Sequence, residues 1–108
     1  MAVNDINITC FNSNGFCSSK PYISKLLEDN DIVGLSEHWL SGTELTQLDI
    51  VSYRHNNTAK CSTDLLNGPP ERGRGYGGVC LYWKKDLVAV PINNIGSDRI
   101  IGIKLTLG

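Results

Sequence analysis

The stretch INITCFNSNGFCSSKPYISKLLEDNDIVGLSE, residues 6–37, decides the fold. Ile6, Ile8 and Cys10 alternate with Asn7, Thr9 and Phe11, the period of two that a strand buried mainly on one face requires. Ser18 or Ser19 can cap a helix, with Pro21 in its first turn. Tyr22, Ile23, Leu26 and Leu27 then recur at helical spacing until Glu28-Asp29-Asn30 ends it. Ile32, Val33 and Leu35 form a short apolar run suited to a second buried strand. Strand, helix, strand is a βαβ unit, which predicts two parallel strands and a right-handed crossover. Strands joined this way end on the same edge of the sheet, so Asn12 and Asn14 should share a rim with Glu37.

Working outward, Thr43 can cap a helical turn carrying Leu45 and Leu48, and Val51 and Tyr53 within IVSYRHN read as a third strand. Residues 56–76 mix polar, charged, Gly and Pro residues without periodicity and are expected to form one long loop. GGVCLYWKK, residues 77–85, restores a strand with Val79, Leu81 and Trp83 on one face and Cys80 and Tyr82 on the other. LVAVPI, residues 87–92, should return as its neighbour through a turn at Lys84-Lys85-Asp86. RIIGIKLTL, residues 99–107, alternates again. The class is α/β, with strands and few helices in layers.

At 108 residues, 41% hydrophobic and 19% charged, the chain has the composition of one small globular domain at most. A formal net charge of −1 excludes a global basic field, so any contact with nucleic acid must be local. No apolar run approaches the roughly 20 residues of a membrane span, and the N-terminus lacks the basic and apolar regions of a secretory leader. An intracellular protein of nucleus or cytoplasm, without a membrane partner, is the expectation. Cys10, Cys17, Cys61 and Cys80 contain no C-x-x-C pair and read as buried free thiols.

GRGYGG, residues 73–78, matches the dinucleotide fingerprint G-x-G-x-x-G, but its glycines follow a polar loop and open a strand instead of a helix. Arg72 and Arg74 beside them can contact phosphates, although two loop arginines are more often simply solvated. His38 adjoins Glu37, yet strand alternation puts neighbouring side chains on opposite faces, which argues against a proton carrier. Asn14-Gly15 is a common turn dipeptide, and turn chemistry alone explains Asn14 as well as a site does. Two asparagines and a carboxylate on one rim are harder to assign to turns. Their oxygens are hard ligands suited to Mg²⁺, which keeps several waters and takes one or two protein carboxylates plus substrate phosphate. Such a rim suits phosphate ester hydrolysis.

CFNSNGF, residues 10–16, resembles the first motif of the endonuclease/exonuclease/phosphatase superfamily, and DIVGLSEHWL, residues 31–40, resembles its second. That superfamily holds apurinic-site endonucleases, DNase I type nucleases, inositol polyphosphate phosphatases and neutral sphingomyelinases. GYGGVCLYWK and SDRIIGIKL look like the next strands of the branch found in non-LTR, LINE-type retrotransposons, where the endonuclease precedes a reverse transcriptase. The motifs are individually weak but occur in order over about residues 5–107, nearly the whole chain. Phe11 stands where the family often has Trp.

The resemblance implies a two-sheet α/β sandwich of the DNase I-like type, of which residues 1–108 would be the first, N-terminal half. It implies Mg²⁺, with Mn²⁺ as an alternative, held by Glu37 and with Asn14 near it, and Asn12 at the metal and phosphate site. DNA would be the partner of the complete domain, with Arg72 and Arg74 toward its backbone and a reverse transcriptase in the same polypeptide. The family completes its site with a Tyr on a later strand, an Asp-x-Asn motif and a C-terminal Ser-Asp-His. No Asp-x-Asn follows Glu37, and Ser97-Asp98-Arg99 has Arg in place of His. A fragment of a DNA-nicking phosphodiesterase, inactive alone, is therefore expected. The alternatives are another phosphoesterase of the superfamily, of the inositol phosphatase or sphingomyelinase type, and a nonenzymatic remnant or interaction domain.

Overall fold

The computed structural model describes residues 5–61, 77–92 and 99–106. Strand β1, Ile8–Asn12, leads through helix α1, Phe16–Asp29, to strand β2, Ile32–Ser36. A 3-10 helix, Gly42–Asp49, precedes β3, His55–Lys60. Then follow β4, Val79–Lys84, β5, Val88–Pro91, and β6, Ile103–Thr106. The first four strands form a mixed sheet in the order β1-β2-β4-β3, and β5 pairs with β6 in a second sheet. β1 and β2 are parallel with Asn12 opposite Ser36, as the βαβ reading predicts. β4 lies antiparallel to β2 on one side and to β3 on the other.

Pleating gives this sheet two chemically different faces. On one, Val33, Leu35, Cys80 and Tyr82 meet Phe16, Ile23 and Leu27 of α1 and Leu48 of the 3-10 helix, all nearly or fully shielded from solvent. The Tyr82 hydroxyl donates to the Leu48 carbonyl at 2.7 Å, satisfying two polar groups that this core would otherwise leave unpaired. On the other face, register aligns Ile8, Ile32 and Trp83 in one row and Cys10, Gly34 and Leu81 in the next. Much of it is open: Ile8 is 61% exposed, and an apolar groove of about 450 Å³ runs between Cys10, Gly34, Leu81 and the Arg99–Ile101 segment up to Asn12.

Several boundaries differ from expectation, each for a local reason. Helix α1 begins at Phe16, ahead of Ser18 and Ser19, because Gly15 at φ 103 starts it while the Gly15 and Phe16 N–H groups donate to the Glu37 and His38 carbonyls. Those carbonyls do the work expected of a side-chain cap, and Pro21 falls inside the helix. The 3-10 helix starts after Ser41, whose N–H donates to Glu44 Oε1 at 2.9 Å, instead of at a Thr43 cap.

The third strand is His55–Lys60, so Val51 and Tyr53 precede it and the expected loop loses its first five residues to the sheet. Unshielded Asn56 and half-buried Asn57 hide that strand from any apolar pattern, and its pairing with β4 decides instead. Leu87 N–H closes a turn on the Lys84 carbonyl as expected, but β5 leaves the first sheet and pairs with β6. All four thiols are free, with Cys61 and Cys80 buried. Cys10 and Cys17 are exposed, contrary to expectation, since Cys10 points to the open face.

Candidate metal and phosphate site

The rim forms because two successive chain segments are stitched together residue by residue. Ser13, 1% exposed, donates its N–H to Ser36 O at 2.9 Å. Its Oγ lies 2.9 Å from Ser36 O and 3.0 Å from Glu37 O, sharing one proton between two carbonyls. Gly15 N–H donates to Glu37 O at 2.8 Å and Phe16 N–H to His38 O at 2.9 Å. Ser19 Oγ secures the Ser13 carbonyl at 2.7 Å. These bonds carry Asn12, Asn14 and Glu37 to one edge, as the sequence predicts. Asn12 and Asn14 are exposed there, while Glu37 is half-buried.

Asn12 Oδ1 accepts the Asn14 N–H at 3.1 Å, a local turn that takes one of the two acceptor positions of the amide oxygen. Asn14 has φ 50, Glu37 φ 56 and Trp39 φ 61, and these are the described non-glycine residues in the left-handed region. The described glycines with positive φ, Gly15, Gly77 and Gly78, belong to the same rim. Each non-glycine residue held this way costs on the order of 1–2 kcal/mol, strain that surrounding contacts must offset and that concentrates at functional sites.

Glu37 is the most constrained of the three. Its Oε2 accepts the Gly77 N–H at 2.8 Å and the Trp39 Nε1–H at 3.2 Å. Oε1 accepts no hydrogen bond among the described residues. Sequence reasoning missed Ser13, Trp39 and Gly77. The run Glu-His-Trp-Leu and the paired glycines before β4 were visible signals, but neither says that the Trp39 ring N–H and a backbone N–H forty residues beyond Glu37 meet one carboxylate oxygen.

His38 turns away from this edge. Fully buried, it accepts the Leu40 N–H on Nδ1 at 2.9 Å and places Nε2 2.8 Å from the Lys60 carbonyl, which fixes the neutral tautomer with hydrogen on Nε2. Burial pushes its pKa below the ordinary histidine value, the Lys60 and Val79 backbone bonds and Glu37 opposing. It is a core group. Gly77 and Gly78 lead into strand β4, so the glycine-rich run opens a strand there. Arg72 and Arg74 lie outside the described residues.

No group of three His, Cys, Asp or Glu side chains gathers among the described residues, so a site built by protein ligands alone, as for structural zinc, is not present among them. One carboxylate whose Oε1 accepts no hydrogen bond from the described residues, and two exposed amides, fit a hard cation that keeps most of its water. A family model described as the Endonuclease/Exonuclease/phosphatase family matches residues 10–107, a span that contains the whole rim. The chain belongs to this family. Members commonly use divalent metal ions, in agreement with the donor chemistry of the rim. The mixed sheet with a second, small sheet is the α/β arrangement of part of a DNase I-like domain of this family. No curated protein matches the chain in sequence. No described helix is long and apolar enough to cross a membrane.

Proposed function

We propose that this chain carries the metal- and phosphate-binding part of a Mg²⁺-dependent phosphodiesterase, and that the complete enzyme nicks DNA in the manner of a non-LTR retrotransposon endonuclease. The observation that supports this most is the convergence of Asn12, Asn14 and a doubly held Glu37 on one strained rim. In this reading Glu37 holds Mg²⁺ or Mn²⁺, with Asn14 beside it. The bound metal supplies charge neutralisation at the phosphate and at the leaving oxygen. Asn12, its Oδ1 already engaged by Asn14, offers amide N–H groups to a phosphate oxygen. Arg72 and Arg74 would meet the DNA backbone.

In this reading these residues bind and orient, and the group that takes a proton from water is a different one. Asp-x-Asn after Glu37 and Ser-Asp-His are missing from the 108 residues, so the chain alone should not nick DNA. We read residues 1–108 as the N-terminal portion of such a domain, with a reverse transcriptase in the same full-length polypeptide. The likeness of GYGGVCLYWK and SDRIIGIKL to the retrotransposon branch favours DNA over an inositol phosphate or a sphingolipid.

The test is nicking of supercoiled plasmid in Mg²⁺ by a polypeptide that continues this chain through Asp-x-Asn and Ser-Asp-His motifs. Glu37→Ala should reduce nicking by about 100-fold or more, since a lost metal ligand costs more than a lost outer-shell partner. Equal nicking by the two proteins overturns the assignment.

A further inference from the structure

Glu37 does not hold its orientation unaided. Trp39 Nε1–H and Gly77 N–H converge on Oε2, and Trp39 is itself fixed from two sides. Its backbone N–H donates to the Gly77 carbonyl at 3.0 Å. Its indole lies against the bare backbone of Gly15, where an added Cβ would come 2.7 Å from Cε3 and 2.9 Å from Cζ3. Gly15 in turn donates its N–H to the Glu37 carbonyl at 2.8 Å. Gly15, Glu37, Trp39 and Gly77 thus form a closed ring of contacts around one carboxylate.

We infer that Trp39 is a positioning residue for divalent cations at Glu37: with Gly77 it occupies Oε2, so that a cation is taken by Oε1 alone. The inference rests on the reading of Glu37 as a metal ligand. Two effects oppose each other here. The N–H donors withdraw charge from the carboxylate, which weakens it as a ligand, and they fix its rotation, which strengthens it. Removing an outer-shell partner from a metal ligand typically costs about 10–100-fold in affinity, so orientation outweighs charge withdrawal.

Monodentate capture also selects the ion. Mg²⁺, and Mn²⁺ used in its place, bind carboxylates through single oxygens in octahedral geometry, whereas Ca²⁺ accepts bidentate carboxylates in flexible, larger shells. A Glu37 with one oxygen saturated therefore favours Mg²⁺ and Mn²⁺ over Ca²⁺. Loss of the indole N–H frees Oε2 in part, which hurts Mn²⁺ and spares Ca²⁺.

The experiment is calorimetric titration of the 108-residue protein with Mn²⁺ and with Ca²⁺. Wild type is compared with Trp39→Phe, with Trp39 replaced by its isostere benzothienylalanine, which keeps the ring and lacks the N–H, and with Glu37→Gln. Both Trp39 replacements should weaken Mn²⁺ by about tenfold while Ca²⁺ moves far less, and Glu37→Gln should remove Mn²⁺ binding. Urea unfolding accompanies each titration, and the isostere decides if Trp39→Phe folds poorly.

Wild-type Mn²⁺ affinity in the isostere, with binding lost in Glu37→Gln, overturns the role of Trp39 and leaves Glu37 as the ligand. Equal losses for both cations point to a loosened rim and overturn it as well. Mn²⁺ binding unchanged in Glu37→Gln overturns both the inference and the reading beneath it.

Discussion

The backbone N–H of Gly77 donates to Oε2 of Glu37 across 2.8 Å, although the two are forty positions apart in the chain. The Gly77 carbonyl accepts the Trp39 N–H, so both peptide groups of one glycine serve the rim, and the backbone that allows this has φ 68. Gly77→Ala keeps the N–H but forces a Cβ into the left-handed region, at a cost of about 1–2 kcal/mol. The urea midpoint should fall accordingly, and Mn²⁺ affinity should drop less than in Glu37→Gln. A variant as stable as wild type would mean that Gly77 does not adopt this conformation in solution.

Gly78, the next residue, lets the buried His38 ring lie directly on its backbone. A Cβ there would overlap that ring, and φ 94 is unfavourable for any L side chain. Gly78→Ala should therefore lose more than about 2 kcal/mol, strain and overpacking acting together. His38→Ala is also destabilising, because it removes the hydrogen bonds to the Leu40 N–H and to the Lys60 carbonyl. The double variant removes the clash, so its loss should be smaller than the sum of the single losses by about 1 kcal/mol or more. Additive losses in urea unfolding would refute the contact.

Most of the first sheet was legible, because α1, β1 and β2 carry clear periodicities and the βαβ connection leaves one arrangement of their ends. The rim of Asn12, Asn14 and Glu37 followed from that connection alone. β3 was not legible: His55, Asn56 and Asn57 have no apolar alternation, and the strand exists because β4 offers it a paired edge. The partner of β5 was misread since sequence adjacency favours a hairpin, whereas pairing with β6 is a nonlocal choice. The orientation of Glu37 was invisible for the same reason. It depends on a backbone group at Gly77 and a ring nitrogen at Trp39, neither of which a residue type announces.

The four thiols divide by the two faces of the sheet and by depth. Cys10 stands on the open face and Cys17 on the outside of α1, while Cys61 and Cys80 are buried. Burial raises the Cys80 pKa far above the usual thiol range, suppressing the thiolate that reacts. Two thiols per chain should react promptly with an aromatic disulfide reagent in native buffer, and the other two after denaturant is added. Mass mapping that finds Cys80 among the prompt pair would refute this packing.

Stability should fall as the solution is acidified from neutrality, and the two histidines set where. Burial lowers the pKa of both His38 and His55 below the ordinary value of 6.5. At His38 the Lys60 and Val79 backbone groups and the charge of Glu37 favour the imidazolium. His55 faces Asp31 and Asp86, which favour the imidazolium, and Lys84, which opposes it, and its Nε2 lies 3.3 Å from the Asn30 carbonyl. Desolvation is the largest influence at each. Below about pH 6.5 the unfolded chain takes up protons that the folded chain refuses, so folding is weakened by up to about 1.4 kcal/mol per pH unit for each histidine. The contribution is complete above pH 6.5 and is lost progressively below it, until the lowered folded values are passed. Asp31, held down chiefly by the Asn7 N–H, and Glu44, held down by Ser41, add a separate loss only as pH drops below the ordinary carboxylate values. Urea unfolding between about pH 7.5 and 5 should show the first decline, and His55→Gln should flatten part of it. A level profile across that window would show that neither imidazole is buried neutral.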